Sequence, residues 1–133
     1  MKALSVESVP GSVDGEIRLV LTGELDLSTA DRVERELAEA EAKNPDLITL
    51  DLRGLAFIDS TGLRVVLSAD GRARKDGRRL EVVPGPPPVH RVFRIALLDR
   101  RIAFVERPDV DDIPVPDEGG TDGDSGGPPE AGR

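Results

Sequence analysis

Phe57-Ile-Asp-Ser-Thr-Gly-Leu63 lies between an apolar run, Leu47-Ile-Thr-Leu-Asp-Leu52, and an amphipathic run from Leu63 to Ala73. A nearly unbroken apolar run of six residues reads as a central strand covered on both faces. Leu63, Val66 and Leu67 recur at helical spacing. The stretch therefore joins a strand to a helix through a short loop, with Arg53-Gly54-Leu55 turning the chain into it. Ser60 falls where the helix N-cap is expected. There its hydroxyl would accept a hydrogen bond from a free backbone N–H of the first turn. The same N–H groups and the positive end of the helix dipole favour a phosphate. Ser60 is thus either a plain cap or a phosphorylatable switch.

Upstream, Ala3 to Val9 alternates weakly and Glu16 to Leu21 alternates before turning continuous, which predicts a hairpin across Pro10 to Gly15. Gly23-Glu24-Leu25-Asp26 is expected to leave the sheet, with Gly23 at a bulge or a tight backbone approach. Ser28 followed by Asp31 reads as a capping-box-like helix start. Ala30, Val33, Leu37 and Ala40 form the apolar stripe of that helix. Glu34, Glu36, Glu39 and Glu41 read as its solvated face. The helix is expected to stop near Asn44-Pro45, because the residue before a proline disfavours the α region.

Downstream, the second helix is expected to weaken beyond Asp70-Gly71, since glycine costs about 1 kcal/mol relative to alanine in a helix interior. Arg72, Arg74, Lys75, Arg78 and Arg79 form a basic cluster near its end, which suits the helix dipole. Leu80 to Val83 reads as a short strand. Pro84-Gly-Pro-Pro-Pro88 reads as a rigid loop whose last proline starts a helix. Val89, Val92, Phe93, Ala96 and Leu97 keep helical spacing. The lone His90 lies off that stripe and is expected to face solvent. Ile102 to Val105 would close the sheet.

A chain of 133 residues suits one domain. With no cysteine, disulfides, thiolate zinc sites and a cysteine nucleophile are excluded. No leader-like or membrane-spanning run is present in this sequence, and a cytoplasmic location is the expectation. Eight of the 26 acidic side chains and one of the 18 basic ones lie in residues 108–133, which leaves 18 and 17 in the rest. The folded part is therefore nearly neutral. With no Trp, no Tyr and three Phe, it offers no nucleic-acid surface by charge or stacking. Eleven of the 26 tail residues are Gly or Pro, so residues 108–133 are expected to be a disordered acidic tail beside a domain at 1–107. One histidine and no P-loop ending after Gly54 to Gly62 leave no recognisable catalytic set. The chain is expected not to be an enzyme and not to hold a cofactor or metal.

Together, Gly23-Glu-Leu-Asp26 and Phe57-Ile-Asp-Ser-Thr-Gly-Leu63 resemble the signature of bacterial anti-sigma factor antagonists, which are single STAS domains. The resemblance runs from about Leu4 to Val105. It implies an α/β fold, a STAS-like mixed β-sheet with helices mainly on one face. The element order β-β-α-β-α-β-α-β agrees, with right-handed crossovers giving parallel neighbours. It also implies that the unmodified chain binds an anti-sigma factor with serine kinase activity and so releases a sigma factor. Phosphorylation would fall on Ser60, with Thr61 the second hydroxyl, and a serine phosphatase would reverse it. ATP and Mg²⁺ would belong to the partner kinase. Glu24, Leu25, Asp26, Asp59, Ser60, Thr61 and Gly62 are the implied partner-binding residues, although Asp26 reads equally well as a turn residue. The rival implication is a non-switching STAS scaffold subunit of a stress-signalling or lipid-transport complex. Two departures stand out. Leu97 occupies a position where many family members carry glycine, so the third helix is expected to end differently. The acidic tail lies outside the domain pattern.

Overall fold

The structure is a computed structural model and describes residues 3–106. The expected tail, 108–133, falls outside the described residues. The elements run β1 (Leu4–Pro10), β2 (Glu16–Leu25), α1 (Ala30–Ala42), β3 (Leu47–Ile58), α2 (Ser60–Asp76), β4 (Arg79–Val83) and α3 (Pro87–Ile95). The sheet order is β1-β2-β3-β4. β1 and β2 form the expected antiparallel hairpin, while β2–β3 and β3–β4 are parallel. One parity of the strands, including Leu19, Leu21, Ile48, Leu50 and Val82, joins the buried residues of all three helices in a single apolar cluster. The helices therefore share that face of the sheet, as right-handed crossovers moving in one direction require.

Two strands run longer than expected. β2 continues through Gly23 and Glu24 to Leu25, and β3 passes through Arg53-Gly54-Leu55 to Ile58. The ladder survives there by shifting register between Val20/Thr22 and again between Gly23/Glu24. Gly54 makes this possible by close approach rather than by turning. A Cβ on it would lie 2.8 Å from Thr22 Oγ1 and 3.0 Å from the Leu21 carbonyl oxygen. Gly23 is the expected bulge, with φ of 111° and the Ala3 carbonyl against its α-carbon. The extra strand length carries β3 directly to Asp59.

α1 ends at Ala42, close to the expected stop, with Asn44 at φ 60° before Pro45. Its acidic face is not left to water alone: Arg72 Nε lies 3.0 Å from Glu41 and Arg72 Nη2 3.5 Å from Glu34, linking α2 to α1. α2 runs unbroken through Asp70-Gly71. It continues to Asp76 and closes on Gly77 in the left-handed conformation. Asp70 is buried and bridges Arg74 at 2.9 Å and Arg101 at 3.1 Å, while Gly71 lies on the exposed side. The basic cluster is dispersed into such pairs, with Arg78 on Asp76 and Arg79 on Glu81.

α3 begins at Pro87, one residue before the expected proline, and buries Val89 and Phe93. Ala96 and Leu97 leave the stripe and are exposed. Leu97 adopts φ 62°, taking the left-handed position that its side chain disfavours. The Leu98 N–H bonds to the Phe93 carbonyl and the Leu97 N–H to the Arg94 carbonyl, which is a complete Schellman motif built without glycine. The family-like helix end is thus kept at some strain, against the expectation. His90 is half-buried, not solvent-facing, and its ring meets Phe104 edge-on at 4.6 Å. The expected last strand is reduced to one parallel bridge, Val82 with Phe104.

Candidate functional site

The ends of β2 and β3 lie side by side, with Leu25 paired to Ile58, so the two loops that follow them meet at one edge of the molecule. The Asp59 N–H donates to the Leu25 carbonyl at 3.2 Å and fastens the second loop to the first strand. Asp59, not Ser60, is the N-cap of α2. Its backbone is extended, and its Oδ1 accepts from the Gly62 N–H at 3.0 Å. The Asp59 carbonyl accepts from the Leu63 N–H. The Asp-x-x-Gly spacing closes this cap because the amide three residues on is the one that the carboxylate reaches. Ser60 is therefore the first residue of the helix, and its hydroxyl is exposed and unused by the cap.

The first loop is built around Asp26. The Ser28 N–H and Oγ both donate to Asp26 Oδ1, at 2.9 and 2.7 Å. The Asp26 N–H donates to Thr29 Oγ1 at 3.0 Å, and the Thr29 hydroxyl donates to the Glu24 carbonyl at 2.8 Å. The expected capping box from Ser28 to Asp31 is not formed; Thr29 occupies the N-cap of α1 without a side-chain cap bond. Both hydroxyls are spent holding the loop instead. The Ser28 hydroxyl bond, above all, holds the Asp26 carboxyl below its ordinary range.

The expected partner-binding residues separate into two groups. Ser60 is exposed at this edge, and Glu24, Asp26, Asp59 and Thr61 are half-buried beside it. Leu25 is fully buried in the core. Gly62 is buried too, with its α-carbon turned toward Ile58 and Leu25 rather than toward solvent. These two shape the site from beneath. Two residues were not singled out as contacts from the sequence: Leu27, 77% exposed, and Phe57, 46% exposed. With Asp26, Ser28 and Asp59 they line one shallow depression beside Ser60. Leu27 sits in a loop with no periodicity to mark it. The register shifts in the β2–β3 ladder hide the outward turn of Phe57. The usable signal was an aromatic side chain, in a chain with only three, directly before the apolar-to-loop transition.

The surface is thus an apolar pair flanked by two carboxylates and three hydroxyls. No convergent acid–base pair lies among these residues. Among the described residues there is no cluster of three metal-ligating side chains, and no helix is long and apolar enough to cross a membrane.

A family model described as Mlab, STAS domain, matches residues 10–106. The anti-sigma F factor antagonist of Paenibacillus polymyxa is 37% identical over 80 residues, covering 59% of this chain and 68% of its own length. An anti-sigma factor antagonist from Mycobacterium paratuberculosis has a similar crystal structure. Its TM-score is 0.67 at 24% identity, over 79% of this chain and 89% of its own. The Bacillus cell fate determinant SpoIIAA, solved in its phosphorylated form, aligns with TM-score 0.60 at 20% identity, over 83% of this chain and 97% of its own.

Proposed function

Since the chain belongs to the STAS-domain family and is related to anti-sigma factor antagonists, we propose that it binds an anti-sigma factor with serine kinase activity through the edge formed by the β2–α1 and β3–α2 loops. The observation that carries this reading is the placement of Ser60. Its hydroxyl is exposed at the first position of α2, free of the cap, beside an apolar pair with no partner of its own among the described residues. Leu27 and Phe57 supply the apolar anchor of the contact, and the rim of Asp26, Ser28 and Asp59 orients it.

In the switch, Ser60 Oγ attacks the γ-phosphorus of ATP held by the partner. An oxygen–phosphorus bond forms, ADP leaves, and the hydroxyl proton passes to a base of the kinase. ATP and Mg²⁺ belong to that partner, and a serine phosphatase restores the hydroxyl by hydrolysis. Phosphorylation adds about −1.5 to −2 charges, next to Asp59 and within the contact. A partner packed on Leu27 and Phe57 would then have to desolvate a bulky phosphate beside the Asp59 carboxylate, so the complex separates while the fold persists.

The test is incubation with the cognate anti-sigma factor and ATP, followed by mass spectrometry and binding titrations. Ser60→Ala should stay unmodified and bind constitutively. Because Asp59 is the cap, this substitution should leave stability almost unchanged. Ser60→Asp should bind weakly, and Leu27→Asp should weaken binding about tenfold or more with Ser60 intact. Phosphorylation of Ser60→Ala at one site would move the acceptor to Thr61. Absence of any modification, with Ser60→Asp binding as tightly as the parent, would leave the non-switching scaffold of a stress-signalling or lipid-transport complex as the correct reading.

A further inference from the structure

Ser60, Arg64 and Ser68 form the outward stripe of the first turns of α2, while Gly62, Leu63, Val65 and Val66 between them are buried. Side chains four apart on a helix stand one above the other, with about 5–6 Å between Cβ atoms. Arg64 is thus one turn from the Ser60 hydroxyl and on the same face. Two other arginines of α2 are engaged elsewhere, Arg72 with Glu41 and Arg74 with Asp70. The Arg64 guanidinium has no ion pair or hydrogen bond among the described residues. The cap of the helix is already occupied, because Asp59 holds the Gly62 amide with its side chain and the Leu63 amide with its carbonyl. A phosphate on Ser60 would arrive next to the Asp59 carboxylate, with Asp26 across the same depression. Nearby charge of both carboxylates opposes it, and Arg64, one turn along the same exposed face, is a cation at pairing spacing.

We propose that Arg64 is the internal counter-charge of phosphorylated Ser60, a proposal that rests on the phosphoacceptor reading above. The guanidinium folds back one turn and donates charge-assisted hydrogen bonds to the phosphate oxygens. The acid lies N-terminal to the base, which is the favoured order for a pair at this spacing. The pairing holds the phosphate against the helix in the free, modified protein. It therefore favours the dianionic form of the phosphate and adds a contact that the unmodified helix lacks.

The experiment uses the full chain with phosphoserine installed at residue 60 during translation, so that no kinase is required. Phosphorus NMR follows the second ionisation of the phosphate. Arg64→Ala should raise its midpoint by about 0.3 pH units, and Arg64→Lys should recover part of the difference. In thermal melts, Arg64→Ala should lower the midpoint of the phosphorylated chain but not of the unmodified one, giving a non-additive cycle. Identical phosphate midpoints in the parent and Arg64→Ala chains would overturn the pairing. Failure of the partner kinase to modify Ser60 would instead overturn the switch of the previous section and leave this pairing standing.

Discussion

Alanine at position 62 should destabilise this protein, and alanine at position 71 of the same helix should stabilise it. Both substitutions gain about 1 kcal/mol of helix propensity. At Gly71 nothing lies within 4 Å of the new methyl group, so the full gain is expressed. The melting temperature should rise by about 4–8 °C. At Gly62 the added carbon would lie 2.7 Å from Ile58 Cγ1, 2.8 Å from Leu25 Cγ and 2.9 Å from the Leu25 carbonyl oxygen. The two side chains can rotate away, but the carbonyl cannot. It accepts from the Asp59 N–H at 3.2 Å, and its strand is laddered to β3 at Ile58. Either the start of α2 or the end of β2 must move. Overpacking of this kind costs roughly 1–3 kcal/mol, which leaves a net loss of about 1 kcal/mol after the propensity gain. Thermal unfolding followed by circular dichroism, with urea titration as a second measure, should separate the two variants by about 10 °C. The displacement falls on Asp59 and Ser60, so Gly62→Ala should also weaken partner binding, whereas Gly71→Ala should not. A Gly62→Ala chain as stable as Gly71→Ala would refute the close-packing argument.

Leu97 is 82% exposed and sits at φ 62°, so Leu97→Gly should relieve left-handed strain while losing little packing, and raise stability by about 1 kcal/mol. An unchanged or lower midpoint in urea would show that the leucine is not strained there. The Asp26 carboxyl should titrate below its ordinary value of 3.8, because the charged form holds the Ser28 hydroxyl and amide. Its contribution to loop order is thus present above that value and is lost as pH falls through the lower folded pKa. Carbon NMR should show the depressed midpoint, and Ser28→Ala should return it toward 3.8; a midpoint at 3.8 with Ser28 intact would contradict the geometry.

Local pattern alone was enough for the order of the seven elements from β1 to α3, though not for the expected last strand. Leu47 to Leu52 reads as a buried central strand because four of its six residues are large and apolar, and they fall on both faces of a strand. Ala30, Val33, Leu37 and Ala40 read as one helix face because their spacing matches its period. The parallel crossovers follow from chirality. The Phe57 to Leu63 motif placed Ser60 at the start of a helix and marked the edge that proved to be shared with Asp26.

Other features depend on chains meeting across space, and only the tertiary structure decided them. Arg53-Gly54-Leu55 looks like a turn in isolation. It is strand because β2 runs beside it and the ladder absorbs a register shift at Gly54. Ser60 and Asp59 are both good caps by residue type. The bond from the Asp59 amide to the Leu25 carbonyl selects Asp59 and leaves the serine hydroxyl exposed. Gly62 and Leu25 belong to a motif that suggests surface contact, yet they pack against each other beneath it. Leu27 and Phe57 carry no periodic signal, and their exposure follows from two strand ends brought side by side. Burial is a property of what lies opposite a residue, and no one-dimensional spacing contains that neighbour when it comes from another segment of the chain.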